Sequence, residues 1–128
     1  MPTPDALEVA NRLFQAIGSG DLAAVGEIYA PTVKVWHNVS GVEQSLEENL
    51  RLLAWVVKNV SGLRYEQVRR QRTESGFVQQ HVLRGTGLGG EPVEIAACLV
   101  CRVEDGRITR IDEYLDSASL GPLRRAGR

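Results

Sequence analysis

The sequence predicts an α+β domain in which three helices of the N-terminal half pack on the concave face of a curved, cone-shaped antiparallel sheet. Three observations carry that prediction. Apolar residues recur at helical spacing as far as Val60, the spacing changes to two residues from Ser61 onward, and the changes of period fall on capping and turn residues such as Gly18-Ser19-Gly20, Ala30-Pro31 and Asp105-Gly106.

The first helix is expected from Asp5 to Ile17, with Leu7, Val9, Ala10, Leu13, Phe14 and Ile17 on one stripe and the Gly-Ser-Gly run as its stop. Asp21 caps a second, shorter helix, Leu22 to Tyr29, which Ala30-Pro31 ends. Val33, Val35, His37 and Val39 then alternate with Lys34, Trp36 and Asn38, the pattern of a strand with His37 on one face and Asn38 on the other. Ser40 and Glu43 have the spacing of a capping box for the longest helix, Val42 to Val60, whose stripe is Leu46, Leu50, Leu53, Ala54, Val57 and Val60. Trp55 lies beside that stripe, where it can cover the rim of a pocket.

Four strands follow as a meander. Leu63 to Arg72 is polar, and its Arg69-Arg70-Gln71-Arg72 cluster, flanked by Glu66 and Glu74, reads as a solvated face. Glu74-Ser75-Gly76 turns into Phe77 to Thr86; Gly85, Gly87, Gly89, Gly90 and Pro92 form the next turn; Val93 to Val103 and Arg107 to Asp116 are joined at Asp105-Gly106. Residues 117–128 read as a frayed tail on a single domain spanning 1–128.

Composition narrows the partners. Fifteen Lys and Arg balance sixteen Asp and Glu, so no global field recruits nucleic acid or an anionic membrane. The N-terminus lacks the basic and apolar regions of a signal peptide and no apolar run approaches a membrane span, so a cytoplasmic protein is expected. Cys98 and Cys101 are spaced C-x-x-C, but within a strand that odd spacing sends the thiols to opposite faces, as core residues rather than a redox or zinc pair.

Several motifs together resemble the SnoaL-like branch of the nuclear transport factor two-like (NTF2-like) superfamily. They are Gly20-Asp21-Leu22, Tyr29-Ala30-Pro31, Val35-Trp36-His37-Asn38, and Asp105-Gly106-Arg107-Ile108-Thr109 leading to Asp112-Glu113-Tyr114-Leu115-Asp116. Ketosteroid isomerases, limonene epoxide hydrolases, polyketide cyclases and noncatalytic binding proteins share that fold, so the resemblance implies a pocket and not a reaction. It also implies a homodimer paired through the outer sheet face.

Residue by residue, the resemblance places His37 where ketosteroid isomerases carry their basic aspartate. An alignment shifted by one residue instead puts Trp36 and Asn38 where the epoxide hydrolases position water. Lys34 shares a face with Trp36 and Asn38, which favours His37 inward, because a lysine is rarely buried unpaired. The isomerase oxyanion donors are matched by Leu13 and Leu99, which argues against a standard ketosteroid isomerase. The hydrolases' Asp-Arg-Asp relay is matched by His81, Gln79 and Glu113.

These matches point to His37, Glu113 and His81 as acid/base residues. Trp36, Asn38, Gln79, Leu13, Phe14, Trp55 and Leu99 are the expected substrate contacts, in a pocket for a mostly apolar small molecule. No metal and no cofactor is expected. The alternative is a noncatalytic domain that binds a small ligand or a partner chain, with His37 bonded to a backbone carbonyl, His81 in a cross-strand pair and Glu113 turned outward beside Arg110 or Arg102.

Overall fold

In the computed structural model, which describes residues 4–126, each of the first three helices begins where a side-chain oxygen meets an unpaired backbone N–H. Asp5 caps α1 (Ala6–Ser19) by accepting from the Leu7 N–H, and α1 ends at Gly20, whose φ of 74° is a left-handed cap. Asp21 caps α2 (Leu22–Ile28) through the Ala24 N–H. Tyr29 opens strand β1 (Tyr29–His37) rather than closing the helix.

The expected start of the long helix is corrected. Its capping box is Ser45 with Glu48, not Ser40 with Glu43, and α3 runs Leu46–Asn59, the same length as α1. Gly41 holds a φ of 68°, which no helix continues, and Glu43–Gln44 instead forms a short strand β2 on the edge of β1.

The remaining strands are β3 (Val60–Arg72), β4 (Gly76–Gly87), β5 (Pro92–Glu104) and β6 (Arg107–Leu115). They form one curved, unclosed six-stranded sheet in the order β2-β1-β6-β5-β4-β3, antiparallel except where β1 lies parallel to β6. Asp105 and Gly106, both with positive φ, make the two-residue turn between β5 and β6. The glycine-rich turn is narrower than expected, because Gly85 lies within β4. A Cβ there would stand 2.4 Å from Val60 Cγ1 and 2.9 Å from the Ser61 carbonyl oxygen, so the glycine is needed for close packing of β3.

The sheet bends at bulges, and one of them changes which residues face inward. Between Glu66 and Arg69 the β3–β4 register shifts, and Gln67 takes a φ of 54°. Beyond it, Arg70 pairs with Gln79 and Arg72 with Phe77; Arg70 is half-buried on the inner face and leaves the expected solvated face, whereas Arg72 stays exposed. Arg72 reaches the N-terminus of α1 and binds Asp5 with Nη2 2.6 Å from Oδ2. Burial of Val9, Leu13, Phe14 and Ile17 from α1 against Val33, Val35, Phe77, Leu99, Ile108 and Ile111 makes the main core.

The tail is also corrected. Ser117–Leu120 is a 3-10 turn capped by Asp116, and Gly121–Ala126 is a fourth helix, α4. Leu123 is buried against Val60, Val93 and Ile95 with Leu120 beside it, so the 117–126 segment closes one end of the cone instead of fraying, while residues 127–128 of the expected tail lie outside the described residues. Among the described residues no helix is long and apolar enough to cross a membrane.

Candidate active site

The inner sheet face, α1, α3 and the 117–126 segment enclose a cavity of about 360 Å³. Its walls are mostly apolar, with Leu13, Phe14 and Ile17 from α1, Leu53 and Trp55 from α3, and Ile95, Ala97, Leu99 and Ile111 from the sheet. Leu120 and Leu123 complete it, so the tail is part of the pocket. Against that lining the polar groups stand out: His37, Glu113, His81, Tyr65, Tyr29, Asn49, Gln44 and Ser40.

His37 is the last residue of β1 and Glu113 is its direct neighbour in the parallel register of β6. Both face inward, and His37 Nε2 lies 3.0 Å from Glu113 Oε1, with the two side chains 12% and 20% exposed. A carboxylate only accepts, so the neutral imidazole carries its proton on Nε2 and keeps the Nδ1 lone pair. The arrangement is an oriented imidazole with an acid behind it, open to a cavity.

His81, on β4, is held from several sides. Its ring meets Phe14 and Tyr65 edge-on, at centroid distances of 5.4 and 4.6 Å. Its Nδ1 lies 2.8 Å from Nε2 of the fully buried Gln79, whose Oε1 accepts from Arg70 Nε at 2.6 Å. The Arg70 guanidinium also sits over the Phe14 ring. Burial pushes the His81 pKa down, Glu113 pulls it back up, and Arg70 lowers it further. Burial likewise raises Tyr65, with a smaller push from Glu113. Tyr29, raised chiefly by burial, donates to Asn49 Oδ1 at 2.8 Å while Asn49 donates to Gln44, a chain that ties β1 to α3.

A family model described as the SnoaL-like domain matches residues 10–111. The chain belongs to the SnoaL-like family. No curated protein matches it. Among solved structures it is similar to PrhC from Penicillium brasilianum (TM-score 0.83, 14% identity, 94% of this chain and 86% of that one). It is also similar to a candidate isomerase from Bacillus subtilis (TM-score 0.81, 15% identity, 94% and 93%). IdmH, a candidate polyketide cyclase from Streptomyces antibioticus, has a TM-score of 0.80 at 22% identity over 94% of this chain and 99% of its own. At these identities the likeness establishes the NTF2-like cone fold.

Within this SnoaL-like cone the sequence-derived residues fall into two groups. His37, Glu113, His81, Leu13, Phe14, Trp55 and Leu99 line the cavity. Three expected substrate contacts do not. Trp36 lies on the outer face, edge-on to Tyr114 at 5.4 Å. Asn38 brackets the Leu115 backbone, donating to its carbonyl and accepting from its N–H, beyond the last inward position of β1. Gln79 faces inward but sits behind His81 with both ends of its amide engaged.

Residues the sequence reading passed over are Tyr65, Tyr29, Asn49 and Gln44. Tyr65 shares period-two spacing with Leu63, a signal of an inward face masked by the charged residues around it. Nothing local marks Asn49, which α3 buries beneath Tyr29. Among the described residues no three His, Cys, Asp or Glu side chains are grouped to hold a metal ion.

Proposed function

We propose that this SnoaL-like protein is an acid/base enzyme that cyclises, isomerises or hydrolyses a mostly apolar small molecule. One observation carries the reading: the His37–Glu113 pair opens into a mostly apolar cavity. In this reading His37 Nδ1 takes a proton from the substrate and returns it to product. Glu113 orients the ring and stabilises the imidazolium that forms, as the carboxylate of a catalytic triad does. Desolvation by the leucine and isoleucine walls strengthens that electrostatic support. Leu13 and Leu99 supply no oxyanion donor at the ketosteroid isomerase positions, which supports a reaction other than standard steroid isomerisation.

The outer sheet face supports a homodimer. Trp36 and Tyr114 stack edge-on there, and Val100 lies across Asp112 from Trp36, with Val100 43% and Tyr114 48% exposed.

The test is wash-out of α-deuterium from a panel of labelled cyclic and aromatic ketones. His37→Ala and Glu113→Gln, each checked for folding by thermal melt, are expected to lose about 10²–10⁴-fold in exchange rate. Retention of exchange by folded His37→Ala would overturn the assignment. Saturable ligand binding with no exchange or turnover across the panel would make the domain a binding module.

A further inference from the structure

The hydrogen-bond chain behind His81 decides which of its ring nitrogens carries the proton. Arginine has five N–H donors and no acceptor, so the Gln79 atom 2.6 Å from Arg70 Nε is the amide oxygen. The amide nitrogen therefore faces His81 Nδ1 at 2.8 Å, and an NH2 group only donates. Nδ1 must then be the acceptor and Nε2 must carry the hydrogen. Protonating Nδ1 as well would set two donors head to head, so the same chain holds the ring neutral. Among the described residues no group pairs with Nε2, on a ring that lines the cavity.

We propose that Arg70 and Gln79 act as positioning residues that lock His81 in the Nε2–H tautomer, making it the donor for an oxyanion that develops on a carbonyl substrate. The inference rests on the acid/base reading of His37–Glu113 and narrows its substrate class to carbonyl compounds with an acidic α-C–H. The two sites stand on one concave face: Glu113 pairs with Leu99 on β5, and His81 with Ala97 two residues along the same strand. His37 on β1 and His81 on β4 are thus three strand spacings apart, roughly 14 Å of sheet, on a curved face from which both residues line the cavity.

In the reaction, His37 Nδ1 removes the α-proton, the C–H pair becomes the C–C π bond, and the carbonyl π pair moves onto oxygen. His81 Nε2–H donates to that oxygen and keeps its proton, as a preorganised neutral imidazole does. The imidazolium of His37 then returns the proton to the α-carbon, or to the γ-carbon where the enolate is conjugated with a second C–C double bond, and the oxygen pair re-forms the carbonyl. In an internal aldol closure the enolate carbon instead attacks a second carbonyl of the same molecule, and the proton goes to the new alkoxide.

The probe is 2-naphthol, whose naphtholate form imitates a planar enolate, with naphthalene as the control that lacks the oxygen. In ¹⁵N spectra of histidine-labelled protein at neutral pH, His81 is expected to show a protonated Nε2 and a lone-pair Nδ1. Arg70→Met, which alters only a partly exposed residue, is expected to reduce that preference. Gln79→Leu and His81→Leu should weaken naphtholate binding roughly tenfold or more, as for a lost hydrogen bond to a charged group, with naphthalene binding nearly unchanged.

A wild-type His81 protonated on Nδ1 would overturn the proposal, as would equal losses of naphtholate and naphthalene binding. Should the Gln79 variant not fold, the wild-type spectrum and Arg70→Met still decide. Selective naphtholate binding without α-deuterium exchange would sink the base assignment alone; exchange with an Nδ1–H His81 would sink the donor assignment alone.

Discussion

At the scale of single residues, the two histidines differ through the partners they are given. His37 meets an acceptor, Glu113, and His81 meets a donor, Gln79. The buried position of His81 also links it to stability. Its folded pKa lies below the ordinary 6.5, so as pH falls the unfolded chain takes up a proton that the folded chain resists. The stabilisation is full above that ordinary value and is lost as pH falls from it toward the folded value. Wild type should therefore lose more melting temperature than His81→Gln between about pH 7 and about pH 5, a difference that cancels groups common to both. His37, His81 and Glu113 were legible in the sequence as inward candidates. The identity of their neighbours was not, because each partner comes from a position whose face depends on strand register.

At the scale of elements, the close approaches are where the fold is least tolerant. Gly85→Ala would drive a methyl into Val60 and the Ser61 carbonyl, and is expected to cost about 1–3 kcal/mol in urea unfolding, as overpacking does. Adding Val60→Ala should recover part of that loss, since one of the two clashes disappears. The 117–126 segment makes the opposite case. Leu123→Ala removes a buried anchor shared with Val60, Val93 and Ile95, and a loss of about 2 kcal/mol or more is expected. Because Leu123 also lines the cavity, affinity for naphthalene should fall with it. Helix stripes and the Asp105-Gly106 hairpin were readable from spacing and turn chemistry. The tail was not, since Gly121 and Pro122 read locally as breakers while its stability comes from contacts with β3 and β5.

At the scale of the whole molecule, the sheet has a face for the cavity and a face for a second copy. If the outer face pairs, Tyr114→Glu should shift the protein from dimer to monomer in sedimentation at micromolar concentration, with α-deuterium exchange measured alongside. A wild type that sediments as a monomer would sink the pairing. By itself the sequence determined the α+β class, the order of the first three helices and the five long strands, the cone and its apolar lining, because these follow from periodicities of 3.6 and 2 residues. Tertiary structure alone decided that Arg70 turns inward. A single extra residue at the Gln67 bulge inverts the faces of β3 beyond it, and no local pattern of apolar and polar residues records that insertion.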